Sequence, residues 1–267
     1  MAPILDAQGL CKKFGAVTAA WGISISIEPD TVVGLIGTNG AGKTTFVNMV
    51  TGYLKPDTGA ISFKGRDVTS LHPRHITRLG ICRSFQIPQL YDSFTVLENV
   101  VVALGIILRN SKSSIFARTP RIVPGHGVEL LPAAEKILER FRLSEYGHSP
   151  AGVLPEGVRK LLDSALALAV KPEMLILDEP TSGVSSEEKF AIMDTVMGAV
   201  RSEGVTVLFV EHDMEIVSRY SQRVIAFYEG RVLADGLPAD VLGDRDVRKY
   251  VVGGQVGAAQ PKDNARA

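Results

Sequence analysis

A glycine-rich segment between an apolar run and a helix-compatible run most restricts the fold of this chain. The apolar run covers residues 32–36, and the helix-compatible run extends from Lys43 to about Gly52. Glycines let the backbone curl, so that successive N–H groups and the helix start face one anionic ligand. This order of strand, loop and helix predicts a phosphate-binding loop. Its residues are Gly37, Thr38, Asn39, Gly40, Ala41, Gly42, Lys43, Thr44 and Thr45.

Two side chains at the end of this loop have the chemistry that a nucleotide polyphosphate requires. We expect Lys43 to reach the β- and γ-phosphates and the Thr44 hydroxyl to ligate Mg²⁺. For the loop taken alone, a glycine-rich turn that binds no ligand is the alternative.

Two further apolar runs end in side chains that suit phosphate chemistry. Residues 174–177 precede Asp178 and Glu179, and residues 205–210 precede Glu211 and His212. Such runs are typical of buried parallel strands, whose carboxyl ends collect ligands. We expect Asp178 to hold Mg²⁺ through its water shell and Glu179 to polarise the attacking water. His212 is a candidate sensor of the γ-phosphate, with a purely structural role as the alternative.

The order of these motifs resembles that of the ABC ATPases. The loop at 37–45, Gln86, the run 177–180 and His212 are similar to the Walker A, Q-loop, Walker B and switch histidine of that family. The resemblance covers residues 4–252. It implies an ATPase that binds ATP and Mg²⁺, with the Gln86 amide oxygen offered to Mg²⁺ and to the attacking water.

Residues 83–86, 94–100 and 210–214 look, more narrowly, like the ATP-binding subunits of branched-chain amino acid transporters. This resemblance implies a subunit that hydrolyses ATP to power import of branched-chain amino acids or related small solutes. The implied partners are transmembrane permease subunits, a second ATPase subunit or a second copy of this chain, and a periplasmic or extracellular solute-binding protein. The alternatives are the ATPase of a lipid or lipopolysaccharide exporter and an ABC ATPase without a transport role.

Composition restricts the compartment and the kind of partner. The formal net charge of zero gives no long-range attraction to nucleic acid, and none is expected as a partner. Cys11 and Cys82 are isolated, which is typical of a reducing compartment. Residues 1–10 do not resemble a signal peptide, and the longest apolar run, 100–108, is shorter than the roughly 20 residues that span a bilayer. Together with these features, the resemblance to transporter ATPases implies a cytoplasmic protein that lies peripherally on the inner face of the cell membrane.

The predicted fold is an α/β P-loop NTPase core of the ABC ATPase type, with an antiparallel β flank and an α-helical subdomain. Residues 1–252 are expected to form one domain. Within it, 1–94 and 153–252 form the nucleotide-binding core with its flank, and 95–152 form the helical subdomain with an insertion. Residues 253–267 are small and polar and are expected to form a flexible tail.

Two more local predictions follow from the sequence pattern and one from the resemblance. Residues 4–10 and 23–27 are expected to be strands of the β flank. In the family an aromatic residue shortly after the first strand stacks on the adenine; Phe14 matches it, with Val17 beside it, and a packing role is the alternative. A helix is expected over residues 133–143.

The clearest departure from the family pattern lies at the start of a predicted helix over residues 157–170. The family has Leu-Ser-Gly-Gly-Gln here, facing the nucleotide of the other ATPase subunit. Pro155 has neither a hydroxyl nor an N–H, and Glu156 adds negative charge near a polyphosphate. Gly157 still permits close backbone approach, so a weakened signature is the prediction. The residues of this signature segment are Leu154, Pro155, Glu156, Gly157 and Val158.

A second departure lies in the loop after Glu179. The family's loop usually ends in aspartate, whereas this chain has Ser185 followed by Glu188. That spacing predicts a capping box at the start of a helix.

Overall fold

The fold is described from a computed structural model that covers residues 2–84, 90–110 and 122–253, with the side chains of 109 and 110 excepted. In chain order, the strands of these residues are β1 (Leu5–Phe14), β2 (Val17–Ile27), β3 (Val32–Gly37), β4 (Thr58–Phe63), β5 (Arg66–Asp67), β6 (Ile81–Arg83), β7 (Met174–Asp178), β8 (Thr206–Val210), β9 (Arg223–Tyr228) and β10 (Arg231–Gly236).

The same residues form helices in the connections and on the sheet faces. In chain order these are α1 (Lys43–Val50), α2 (Pro73–Leu79), α3 (Val96–Asn110), α4 (Leu130–Arg140), α5 (Glu156–Ala169), α6 (Glu188–Arg201), α7 (Met214–Tyr220), α8 (Pro238–Gly243) and α9 (Arg245–Val247). Short 3₁₀ turns occupy Ser144–Tyr146 and Ala151–Val153, and a π-helical turn occupies Arg248–Val252.

The central sheet has the strand order β10-β9-β3-β8-β7-β6. All of its neighbouring pairs are parallel except β9 with β10, which form a hairpin. Strands β3, β7 and β8 are fully buried, as their continuous apolar sequences predict. The carboxyl ends of these three strands therefore share one edge of the sheet.

The side chains of the buried strands point alternately to the two faces of the central sheet, so the core consists of two apolar layers. Val33 and Leu35 of β3 pack with β1, β2 and α1, while Val32 and Ile36 face the layer that holds α5 and α6. Successive side chains of a strand point to opposite faces, which places one apolar layer on each side of the sheet. The layer with β1, β2 and α1 also contains Ala41 of the phosphate-binding loop.

A second, antiparallel sheet has the order β2-β1-β4-β5. This confirms the antiparallel β flank. Strand β2 begins at Val17, six residues before the expected strand, because it pairs with β1 along nearly its whole length through several bulges. Phe14 is the last residue of β1 and not a residue beyond the strand.

Helix boundaries differ from expectation where a proline is involved. Helix α4 begins at Leu130, so Pro132 lies in its first turn, where its missing N–H costs no hydrogen bond. The helix ends at Arg140, and Arg142 turns the chain at φ +56°. Helix α5 begins at Glu156, one residue before the expected start, with Pro155 as its N-cap.

The hydrogen bonds before α6 confirm the capping box. The Ser185 N–H and hydroxyl both donate to the Glu188 carboxylate, at 3.3 and 2.8 Å, and the Glu188 N–H donates back to the Ser185 hydroxyl at 3.3 Å. The division into core, helical subdomain and tail stays a prediction.

Candidate active site

The phosphate-binding loop leaves β3 at Gly37 and enters α1 at Lys43. Gly42 lies in the left-handed region at φ +102°, and a Cβ there would be 2.6 Å from the carbonyl oxygen of Ala19 in β2. A Cβ at Gly37 would be 2.6 Å from the carbonyl oxygen of Phe227 in β9. Only glycine fits between these strands, so the two positions fix the path of the loop.

Lys43 folds back over the loop that precedes it. Its ammonium donates hydrogen bonds to the carbonyl oxygens of Gly37, at 2.6 Å, and Thr38, at 3.1 Å. Burial lowers the pKa of Lys43, and the nearby charges of Glu179 and Asp178 oppose this change. The loop lysine therefore lies near the two carboxylates at the end of β7, whereas Asn39, Gly40 and Thr44 are exposed.

Glu179 and His212 follow neighbouring strands and contact each other. The imidazole Nε2 of His212 lies 3.1 Å from Oε1 of Glu179. Glu179 has φ +50°, a left-handed conformation that is uncommon for a residue with a side chain. Its N–H donates to the carbonyl oxygen of Val210 at 3.0 Å, which ties it to the end of β8. This geometry allows the His212 imidazole to orient the Glu179 carboxylate.

Asp178 is buried and paired with a residue that the sequence analysis did not single out. Arg83, the last residue of β6, forms an ion pair with its carboxylate. The same guanidinium donates to the side-chain oxygen of Asn48 in α1 at 2.7 Å. Arg83 thereby links β6, β7 and the helix that begins at Lys43. A basic residue at the end of an apolar strand was the only sequence signal for this role.

Glu211 is a second residue that the sequence analysis left without a role. Its buried carboxylate accepts hydrogen bonds from the N–H and the hydroxyl of Thr181, at 3.0 and 2.6 Å, and from the N–H of His212 at 3.1 Å. It therefore joins the loop after β7 to the histidine after β8. The available signal was a carboxylate directly after a buried strand, where a charge is retained only with partners.

The signature segment lies at the start of α5, next to the loop after Glu179. Pro155 and Glu156 are exposed, and Pro155 makes no side-chain capping hydrogen bond. A Cβ at Gly157 would be 3.2 Å from the Cδ1 atom of Ile192 in α6. A Cβ at Gly183 would be 3.6 Å from the Cγ atom of Glu156. The segment therefore packs against α6 and this loop of its own chain.

Phe14 and Val17 face each other across the turn between β1 and β2. Their side chains are 51% and 66% exposed, which leaves both surfaces open to a ligand. The Lys12 ammonium lies 5.9 Å from the centroid of the Phe14 ring. Gln86 lies outside the described residues, so its expected contacts with Mg²⁺ and water stay a prediction.

The oxygen donors of this site fit Mg²⁺. Mg²⁺ prefers hard oxygen ligands and is commonly held by one or two protein groups together with substrate phosphates and water. Thr44 offers a hydroxyl and Asp178 a carboxylate. Across residues 2–84, 90–110 and 122–253, no group of three or more His, Cys, Asp or Glu side chains could hold a metal by itself. A metal that shares its ligands with the nucleotide phosphates suits this donor set.

A phosphate-binding loop opposite two strand-end carboxylates defines a P-loop nucleoside triphosphatase. The sequence pattern of the ABC transporter family matches residues 21–182. This chain belongs to that family, in which it is an ATP-binding subunit: an ATPase that uses ATP and Mg²⁺.

Named relatives match the chain over nearly its full length. The high-affinity branched-chain amino acid transport ATP-binding protein BraF of Pseudomonas aeruginosa is 34% identical over 252 residues, which cover 94% of this chain and 98% of BraF. The corresponding protein LivG of Escherichia coli K12 is 33% identical over 251 residues, with coverage of 94% and 98%.

A solved structure has the same fold. The ADP conformation of MJ1267, an ATP-binding cassette of an ABC transporter, superposes with a TM-score of 0.79 at 33% identity and covers 96% of this chain and 100% of that chain. Proteins of this kind are the ATP-binding components of transporters that work with membrane permease subunits. No helix among the described residues is both long enough and apolar enough to cross a bilayer.

Proposed function

We propose that this chain hydrolyses ATP to power the import of branched-chain amino acids through partner permease subunits. The observation that carries the proposal is its 34% identity to a branched-chain amino acid transport ATP-binding protein over 94% of this chain and 98% of that protein. In such a system the chain lies on the cytoplasmic face of the membrane. A solute-binding protein outside the membrane delivers the amino acid to the permease.

In this proposal each strand-end residue has one task. Lys43 binds the β- and γ-phosphates, and Thr44 and Asp178 hold Mg²⁺, which supplies charge neutralisation of the phosphates when bound. Glu179 orients and polarises the attacking water. His212 supports that carboxylate and senses the γ-phosphate, which the 3.1 Å contact between the two side chains favours. Gln86 contributes its amide oxygen to Mg²⁺ and water.

The nucleotide base has its own candidate surface. Phe14 stacks on the adenine, and Val17 contacts its edge. The exposure of both side chains at the turn between β1 and β2 supports this assignment. So does the close approach of Gly42 to Ala19, because it brings β2 against the phosphate-binding loop.

The second ATPase subunit completes each nucleotide site. The signature segment of this chain, Leu154 to Val158, faces the nucleotide that the partner's loop holds. Hydrogen bonds to charged groups contribute about 1.5–3 kcal/mol, and Pro155 cannot supply the one that serine does. A partner with a different signature therefore gives two unequal sites, of which the one that contains Lys43 and Glu179 turns over faster.

The permease docks in a groove of about 900 Å³ between the core and α3. The groove is lined by Tyr53, by the basic side chains of Arg74 and Arg78, and by Ile106 of α3. Its exposed tyrosine and isoleucine, next to positive charge, suit an amphipathic cytoplasmic helix with an acidic face. The stacked rings of Tyr91 and Phe94, 5.3 Å apart, extend the docking surface toward the helical subdomain.

Reconstitution into liposomes tests the proposal. The chain is co-purified with the permease and ATPase subunits of its transporter, and uptake of radiolabelled leucine, isoleucine and valine is measured with and without ATP. We expect ATP-dependent uptake that Glu179→Gln abolishes, with no uptake of a basic amino acid as the control. An active, assembled complex that transports none of the three would contradict the import proposal. ATP hydrolysis stimulated by lipid would favour an exporter.

A further inference from the structure

Helix α5 also contacts the loop that follows Glu179 in its own chain, through a buried lysine. Lys160 is 3% exposed. Its ammonium donates hydrogen bonds to the carbonyl oxygen of Glu179 at 3.2 Å and to the hydroxyl of Ser182 at 3.1 Å. A buried ammonium is costly unless its donors are used, so a lysine at this position indicates a specific task.

We propose that Lys160 is a positioning residue for ATP hydrolysis at this chain's own phosphate-binding loop. It acts by fixing the backbone of Glu179 and the start of the loop that follows it. The inference rests on the role proposed above for Glu179 and is independent of the transported solute. It gives α5 a second task besides facing the nucleotide of the other subunit.

Glu179 needs such support because its backbone is in an unfavourable conformation. A left-handed φ of +50° persists in a residue with a Cβ only where the surroundings determine it. The Glu179 N–H is fixed by the carbonyl oxygen of Val210 at 3.0 Å, and the Glu179 carbonyl oxygen accepts from the Ser182 N–H at 3.1 Å. Lys160 adds the contact that joins this turn to α5. A change in the turn would redirect the carboxylate that contacts His212.

The start of α5 also packs against the same region of the chain. A Cβ at Gly157 would be only 3.2 Å from the Cδ1 atom of Ile192, and Glu156 lies beside Gly183 in the loop. Lys160 follows Gly157 by three residues, which is nearly one helical turn. Two successive turns of the helix therefore contact the segment from Glu179 to Gly183, through Glu156 and through Lys160.

Steady-state kinetics of the assembled transporter test the proposal. Lys160→Met keeps the aliphatic stem and removes the donors. We expect kcat to fall roughly 10- to 100-fold, as for a misplaced catalytic group, with KM for ATP and nucleotide binding unchanged. Lys160→Arg, which keeps donors at this position, should restore part of the rate. Lys171→Met is the matched control, because Lys171 follows the other end of α5 and pairs with Glu203 at 2.6 Å.

A double-mutant cycle separates positioning from a general structural effect. If Lys160 acts through Glu179, then adding Lys160→Met to Glu179→Gln should barely change the single-turnover rate. Losses that multiply would overturn the proposal. So would a Lys160→Met protein with wild-type kcat, or one that loses ATP affinity as strongly as kcat. If the Lys160→Met chain does not assemble into the transporter, the cycle is repeated with the uncharged Lys160→Gln. The same results would then support or overturn the proposal.

Discussion

The imidazole of His212 lies 3.1 Å from the carboxylate of Glu179, although the two residues follow different strands. The contact depends on the parallel pairing of β7 with β8, which sets Asp178 opposite Val210. Glu211 supports this contact, because its carboxylate accepts hydrogen bonds from the N–H groups of both Thr181 and His212. The orientation of the Glu179 carboxylate is therefore determined by the sheet edge and its loops.

The close approach of the phosphate-binding loop to β2 predicts a large stability effect at Gly42. Alanine there would place its Cβ 2.6 Å from the Ala19 carbonyl oxygen, at a φ of +102°. We expect Gly42→Ala to lower the free energy of unfolding by about 2–4 kcal/mol. Gly198→Ala is the matched control: this helical glycine has open space around it and should gain about 0.5–1 kcal/mol. Urea unfolding measures both; equal effects would contradict the packing argument.

The N-terminus of α7 predicts a pH-dependent contribution to stability. Burial alone would raise the pKa of Asp213, but hydrogen bonds from the Lys189 ammonium and from the N–H groups of Ile216 and Glu215 lower it below its usual value. A lowered pKa in the folded state means that the stabilisation is present above the unfolded-state pKa and is lost as pH falls through the folded-state pKa.

Two substitutions at Asp213 separate its cap from its charge. Asp213→Ala removes both and should cost about 1 kcal/mol or more of unfolding free energy at neutral pH. Asp213→Asn keeps a good cap and should cost less. The deficit of Asp213→Asn should shrink as the medium is acidified. A deficit that stays constant down to the acid transition would show that the charge of Asp213 has no part in stability.

The altered signature predicts unequal ATP sites in a transporter that contains a second ATPase subunit. Glu179→Gln should abolish nearly all hydrolysis, because it disables the site completed by the partner's signature. The corresponding substitution in the partner should cost much less, because that site is completed by Pro155 and Glu156. Single-turnover hydrolysis in the assembled complex measures both. Equal losses would indicate that the backbone at Gly157 and the helix start suffice for phosphate.

The groove beside α3 predicts where the permease can be crosslinked. Cysteines at Tyr53 and Ile106 should crosslink to a cytoplasmic permease segment, whereas a cysteine at the exposed Leu237 serves as the control. Hydrogen bonds from Thr58 and Gly22 lower the pKa of the native Cys11 thiol, so a Cys11→Ser background is required. An active complex in which only Leu237→Cys crosslinks would place the permease elsewhere.

Much of the site could be predicted because its motifs are local in sequence. The loop from Gly37 to Thr45 and the pair Asp178 and Glu179 each begin at the end of one apolar strand, so strand order alone brings them to one edge. The capping box of Ser185 and Glu188 is local in the same way. Element ends were less predictable, because β2 is lengthened by pairing with β1 and α4 accommodates Pro132 in its first turn.

The supporting polar contacts could not be predicted, because their partners are distant in sequence. Arg83 and Asp178 are separated by 95 residues, and Lys160 and Glu179 by 19. In a single sequence each of these basic residues resembles an exposed charge. Only the packing of β6 against β7, and of α5 against the loop after β7, makes them partners of the site.

The separation of ATP binding from ATP hydrolysis tests the central claim most directly. ATP affinity and single-turnover hydrolysis are measured side by side for Lys43→Ala and Glu179→Gln in the assembled transporter. We expect Lys43→Ala to weaken both, because it removes a positive charge from the phosphates. Glu179→Gln should keep ATP affinity and lose hydrolysis roughly 10²–10⁴-fold. Wild-type hydrolysis by Glu179→Gln would contradict the account.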